Sequence, residues 1–94
     1  MSTTEIRRTV RVVNTQGLHA RPCHSIVSEA QSYSSDLFLR SGTREVNGKS
    51  ILELMTLNAS EGTELEVRAR GGDAEGLVDA IEALFVGGFG ELDH

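Results

Sequence analysis

The segment Glu64-Leu65-Glu66-Val67-Arg68-Ala69-Arg70 alternates charged and apolar side chains without a break. Successive side chains of an extended backbone point to opposite faces, so this pattern requires a strand with one dry face and one wet face. A sheet built on such a strand needs covering on one side only. That suggests an antiparallel sheet with its helices on one side. The rest of the chain agrees. Ile6-Arg7-Arg8-Thr9-Val10-Arg11-Val12-Val13 is β-branched and roughly alternating, with Val10 and Val12 on one face. Asp36-Leu37-Phe38-Leu39-Arg40 puts Leu37 and Leu39 together, and Arg44-Glu45-Val46-Asn47 follows across Ser41-Gly42-Thr43 as the second arm of a hairpin.

The intervening segments change period. Cys23, Ile26, Val27 and Ala30 fall at the i, i+3, i+4, i+7 spacing of a half-buried helix starting near His19 or Ala20, with Pro22 in the first turn where no N–H is needed. Ile51, Leu54, Met55 and Asn58 mark one side of a short helix with Ser50 as N-cap. Leu77, Val78, Ile81, Leu84 and Phe85 mark a last helix, capped by Asp73 and ended by Gly87-Gly88. The order βαββαβα predicts an α+β domain: a four-stranded antiparallel sheet with three helices on one face. Right-handed crossovers interleave two split β-α-β units and make the first and fourth strands neighbours. Residues 1–94 are read as one domain, with 1–5 and 92–94 expected to be flexible.

Charge and composition narrow the function. Nine basic against fourteen acidic residues leave a net charge of −5, which argues against a nucleic-acid partner. Aromatics are 4 % of the chain, and Phe38 alone stands where a sheet-face stacking residue would, too little for RNA recognition. No apolar run approaches ~18 residues and no basic-then-apolar leader opens the chain, so a cytoplasmic protein without membrane insertion is expected. The single cysteine cannot form an internal disulfide. No Ser/His/acid set suggests a hydrolase.

Gly17-Leu18-His19-Ala20-Arg21-Pro22 is the first segment with chemistry in it. Neutral imidazole is nucleophilic near pH 7. At the mouth of a helix, a phosphoryl group on His19 would face the N–H groups of Ala20, Arg21 and Cys23 and the positive end of the helix dipole. Arg21 would supply a forked, permanently charged partner. The competing reading makes His19 a cap and Arg21 a solvated charge, and spacing alone does not separate the two. Asn47-Gly48-Lys49-Ser50-Ile51-Leu52 is the second segment. Ser50 is either a simple N-cap or a phosphorylation site, where a dianion would suit the helix terminus but sit beside Ile51, Leu52 and Met55. His19, Cys23 and His24 invite a metal-site reading, yet Cys23 belongs to the apolar stripe and His24 points ~100° away from it, so no metal is expected.

Both segments resemble the histidine-containing phosphocarrier protein HPr family of the bacterial phosphotransferase system. Gly17-Leu18-His19-Ala20-Arg21-Pro22 is similar to the family's active-site signature, and Lys49-Ser50-Ile51-Leu52 to its regulatory serine segment. The resemblance extends from about Arg7 to Glu91 and implies the family's open-faced β-sandwich. It further implies that enzyme I, charged by phosphoenolpyruvate, phosphorylates His19 at Nδ1, and that an enzyme IIA domain receives the group. Arg21 would stabilise the phosphate, while Leu18, Lys49, Ile51, Leu52 and Met55 would contribute to partner docking. Ser50 would be the target of an ATP-dependent HPr kinase/phosphorylase where one exists. The carrier would be a monomer with no cofactor of its own. Cys23, His24 and Glu53 depart from common family residues. The Leu84–Glu91 tail looks more like the nitrogen-related regulatory branch, which makes a non-sugar regulatory relay or a kinase-controlled adaptor the alternative.

Overall fold

The computed structural model describes residues 4–91. Four strands form one antiparallel sheet: β1 (Glu5–Arg11), β2 (Asp36–Ser41), β3 (Arg44–Asn47) and β4 (Glu64–Arg70), in the spatial order β1-β4-β2-β3. The helices are α1 (Ala20–Ala30), α2 (Ile51–Met55) and α3 (Ala74–Val86), followed by a 3-10 turn at Gly88–Gly90. The strictly alternating segment is the second strand of the sheet, paired on both sides, with Val67 opposite Arg8 of β1 and Leu39 of β2. Its Leu65, Val67 and Ala69 are buried, as are Val10, Leu37, Leu39 and Val46 on the same face.

Against that face pack Cys23, Ile26, Val27 and Ala30 of α1, Leu54 of α2, and Leu77, Val78, Ile81 and Phe85 of α3. Full burial of a Leu, Ile or Phe side chain contributes ~1.5–3 kcal/mol, so this single layer of contacts dominates the stability of so small a domain. The opposite face carries the alternate residues. Arg68 bridges Glu5 and Glu45, each at 3.0 Å, and Arg7 and Arg40 both reach Glu66. The Arg68 guanidinium lies 4.4 Å over the Phe38 ring, so the one sheet-face aromatic is already covered by a cation.

Three local expectations change. Residues 1–3 and 92–94 lie outside the described residues, but Glu5 is not a fraying end: it pairs with Arg70, and the Thr4 carbonyl accepts from Gly71 N–H. Asn58 does not extend the apolar side of α2, because that helix stops at Met55 and Asn58 takes a left-handed φ of 51°. Asp73 occupies the N-cap of α3 without capping it. Its carboxylate instead accepts from the Ser34 and Ser35 N–H groups, both at 2.9 Å, and from the Ser35 hydroxyl. The bonds that a cap would give its own helix tie the α1–β2 loop to the β4–α3 loop.

Candidate functional site

The loop between β1 and α1 is shaped by close approach to the α2–β4 connection. Leu18 N–H donates to the Ala59 carbonyl at 2.9 Å. Gly17 sits at φ +70°, and a Cβ there would run into that same carbonyl oxygen, so both the left-handed backbone and the contact require glycine. The turn delivers His19 as the N-cap of α1 in extended conformation, with no side-chain capping bond, so its imidazole is left for other partners. Ala20 and Arg21 keep N–H groups without an acceptor inside the helix. Cys23 does not join them, contrary to expectation, because its N–H donates to the His19 carbonyl at 3.2 Å.

His19, with its side chain 35 % exposed, opens on a polar cleft of about 330 Å³ lined by Thr15, Gln16, His19, Arg21 and Glu91. Its Nε2 lies 3.0 Å from Oε1 and 2.9 Å from Oε2 of Glu91. Arg21 Nη1 stands 4.0 Å from the same carboxylate, with the rest of its side chain in solvent. Glu91 is 14 % exposed at the side chain, and Asn14 Nδ2 donates to its Oε1 at 3.0 Å. The hydrogen bond to His19, aided by Asn14, holds the Glu91 carboxyl below its ordinary value of 4.5 against the opposing effect of burial. The carboxylate is therefore ionised at neutral pH. Cationic Arg21, free helix N–H groups and an imidazole open to the cleft together suit a phosphoryl group.

Neither Asn14 nor Glu91 was identified as a site residue from sequence. Glu91 arrives from the far end of the chain. The available signal is Gly87-Gly88-Phe89-Gly90, a lone aromatic among glycines after an amphipathic helix, which marks a tight turn around a buried ring. Phe89 is indeed buried, packed edge-on to Phe85 at 4.9 Å between ring centres.

The expected docking residues divide. Leu18 is 5 % exposed and packs with the core, its N–H bonded to Ala59, yet it also lines a depression beside His19 and Met55. Met55, 42 % exposed, borders that same depression, which also involves Gln16, Asn58, Ala59 and Ser60. Leu52 projects from α2 at 80 % exposure, while Ile51 is half-buried against the core. Lys49 turns its ammonium away to the Tyr33 carbonyl at 2.9 Å. Ser50 caps α2, its Oγ accepting from Glu53 N–H at 3.2 Å, and the Glu53 carboxylate reaches back to Asn47 N–H at 3.0 Å. Glu53, which departs from common family residues, thus completes a box-like cap at the start of α2.

His19, Cys23 and His24 do not converge. Cys23 is buried with its Sγ toward the Leu18 carbonyl, and burial pushes its thiol up to about 11, so it is protonated at neutral pH. His24 lies exposed on α1. Among the described residues no group of three His, Cys, Asp or Glu side chains is placed to hold a metal ion. No helix among them is long and apolar enough to cross a membrane.

Comparison with known proteins gives a consistent result. The family model for the PTS HPr component phosphorylation site matches residues 6–86. The phosphocarrier protein HPr of Treponema pallidum is 43 % identical over 89 % of this chain and 96 % of its own length. The phosphocarrier protein NPr of Escherichia coli is 34 % identical over 92 % of this chain and 97 % of its own length. The crystal structure of HPr from Thermoanaerobacter tengcongensis superposes with a TM-score of 0.89 at 34 % identity, covering 94 % of this chain and 99 % of that one. Its fold is the open-faced sandwich described above.

Proposed function

The chain belongs to the HPr family of phosphocarrier proteins of the phosphotransferase system, and from that premise we propose that it accepts a phosphoryl group on His19 from enzyme I and donates it to an enzyme IIA domain. The observation that carries this reading is the part-exposed His19 imidazole at the start of α1, in one polar cleft with the Arg21 guanidinium. The imidazole supplies a nucleophile, and Arg21 and the free N–H groups of Ala20 and Arg21 supply the charge and donors for the three phosphoryl oxygens. An N–P bond forms on the ring as the donor's bond to phosphorus breaks, and the reverse exchange discharges the carrier. The phosphoryl group ends on the partner, so the chain acts as a relay and not as a turnover enzyme.

Leu52 and Met55 are the exposed apolar side chains of α2, Met55 bordering a depression shared with His19, and docking would desolvate them. Ser50 is the proposed regulatory position. A phosphoryl group on its Oγ would stand at the α2 N-terminus, next to both Leu52 and the Glu53 carboxylate. It would therefore oppose docking by resisting desolvation.

Incubation with enzyme I and phosphoenolpyruvate tests the central reading. One acid-labile, base-stable phosphate is expected, absent from His19→Ala and retained by His24→Ala. Label persisting on His19→Ala would refute it.

A further inference from the structure

We propose that Glu91, clamped by the buried Asn14, is a positioning residue that holds His19 in the tautomer with Nδ1 unprotonated and steadies the ring as that nitrogen takes the phosphoryl group. This rests on His19 being the phosphoacceptor, and adds a role for two residues from opposite ends of the chain.

The geometry is specific. Asn14 is fully buried, and its amide nitrogen donates both to the Gly17 carbonyl at 2.8 Å and to Glu91 Oε1 at 3.0 Å. One side chain thus joins the loop before His19 to the turn after α3. That turn is held in an unusual backbone: Gly88, Phe89 and Gly90 have φ of 61°, 56° and 74° in succession. A left-handed phenylalanine is strained and persists only where its surroundings impose it, here the burial of its ring against Phe85. The strained turn ends at Glu91, whose carboxylate receives His19 Nε2 between its two oxygens at 2.9 and 3.0 Å.

An ionised carboxylate only accepts hydrogen bonds, so a neutral imidazole facing it must carry its proton on Nε2. The lone pair then resides on Nδ1. When Nδ1 attacks phosphorus, one N–P bond forms and the donor's bond to phosphorus breaks. No proton leaves the ring, because Nε2 keeps its hydrogen. Positive charge develops on the imidazole and is met by the carboxylate on the far side, as a buried aspartate steadies the imidazolium of hydrolase triads. Arg21, 4.0 Å from the same carboxylate, remains close enough to turn to the incoming phosphoryl group.

Two measurements on the intact protein test the proposal. The first is the imidazole tautomer of His19 from long-range proton–nitrogen spectra of the unphosphorylated protein, at a pH where the ring is neutral. Wild type should be almost wholly the Nε2–H form, Glu91→Ala a mixture, and Glu91→Gln close to wild type because its amide oxygen still accepts. Asn14→Leu should shift toward the mixture with Glu91 present. The second is the single-turnover rate of phosphorylation by saturating phospho-enzyme I. It should fall about tenfold or more in Glu91→Ala, the size of one charge-assisted hydrogen bond, with the apparent KM little changed and Glu91→Gln in between. An unchanged tautomer in Glu91→Ala, or a rate within about twofold of wild type, would overturn the proposal. A folded Asn14→Leu with the wild-type tautomer would remove Asn14 from it. Absence of any phosphate on wild type would instead refute the functional reading, while the tautomer measurement would still judge the orienting role.

Discussion

Replacing Gly17 with alanine should damage the site and the fold together, and the structure gives the size of the effect. At φ +70° a Cβ costs roughly 1–2 kcal/mol in backbone strain. The same Cβ would collide with the Ala59 carbonyl oxygen, which is backbone and cannot rotate away. Relief requires separating the two loops and loosening the 2.9 Å bond from Leu18 N–H to Ala59, worth about another 1 kcal/mol. The sum is about 2–3 kcal/mol, which lowers Tm by roughly 10–20 °C in a domain of this size. Gly42 supplies the control. Its φ is +60°, but a Cβ there meets nothing within 4 Å, so Gly42→Ala carries the strain without the collision. Denaturant unfolding of both variants should show Gly17→Ala the less stable by at least ~1 kcal/mol. Because Leu18 and His19 move with the loop, phosphorylation by enzyme I should slow in Gly17→Ala and stay normal in Gly42→Ala. Equal stabilities would refute the argument that close approach to Ala59 shapes the site.

Arg21→Ala should keep the fold, since its side chain stands largely in solvent, while transfer slows by the loss of a hydrogen bond to charge worth about 1.5–3 kcal/mol. Arg21→Lys should recover only part of the rate, and wild-type kinetics in Arg21→Ala would reduce the residue to a solvated charge. Ser50→Asp should remain folded, because aspartate caps as well as serine, yet raise the apparent KM for enzyme I at fixed ionic strength. Ser50→Ala should lose about 0.5–2 kcal/mol of stability with normal transfer, and an unchanged KM in Ser50→Asp would leave Ser50 as a cap alone. The Asp73 carboxyl is held below its ordinary value of 3.8 by the Ser35 hydroxyl and the Ser34 and Ser35 N–H groups. A carboxyl lowered by folding stabilises the folded state fully above its unfolded value, and that stabilisation is lost as pH falls through the lowered folded value. Stability should therefore decline below about pH 4, and less steeply in Asp73→Asn. Parallel acid limbs for the two proteins would contradict the bonds assigned to Asp73.

The sheet and helices were legible because their signals are local and repetitive. The alternation of Glu64–Arg70 dictated a half-wet strand, and the stripe Cys23, Ile26, Val27, Ala30 dictated the buried side of α1. His19 and Arg21 were legible because they share one short segment. What escaped notice depends on contacts between distant segments. Glu91 reaches His19 only because the chain turns left-handed through Phe89, and φ at that residue is imposed by packing. Asp73 sits where a cap belongs, but the Ser34 and Ser35 N–H groups from the α1–β2 loop take up its carboxylate. The family resemblance places Leu18 in a docking surface; its side chain packs with the core, its N–H bonded to Ala59, while still lining the depression beside His19.

The central claim is that the phosphoryl group resides on His19, on the nitrogen facing away from Glu91. The direct measurement is phosphorus–nitrogen coupling in the protein labelled with ¹⁵N-histidine and phosphorylated by enzyme I and phosphoenolpyruvate. One phosphorus resonance coupled to Nδ1 of His19 is expected. Coupling to Nε2 of His19, coupling to a ring nitrogen of His24, or a phosphate with no coupled nitrogen would contradict it.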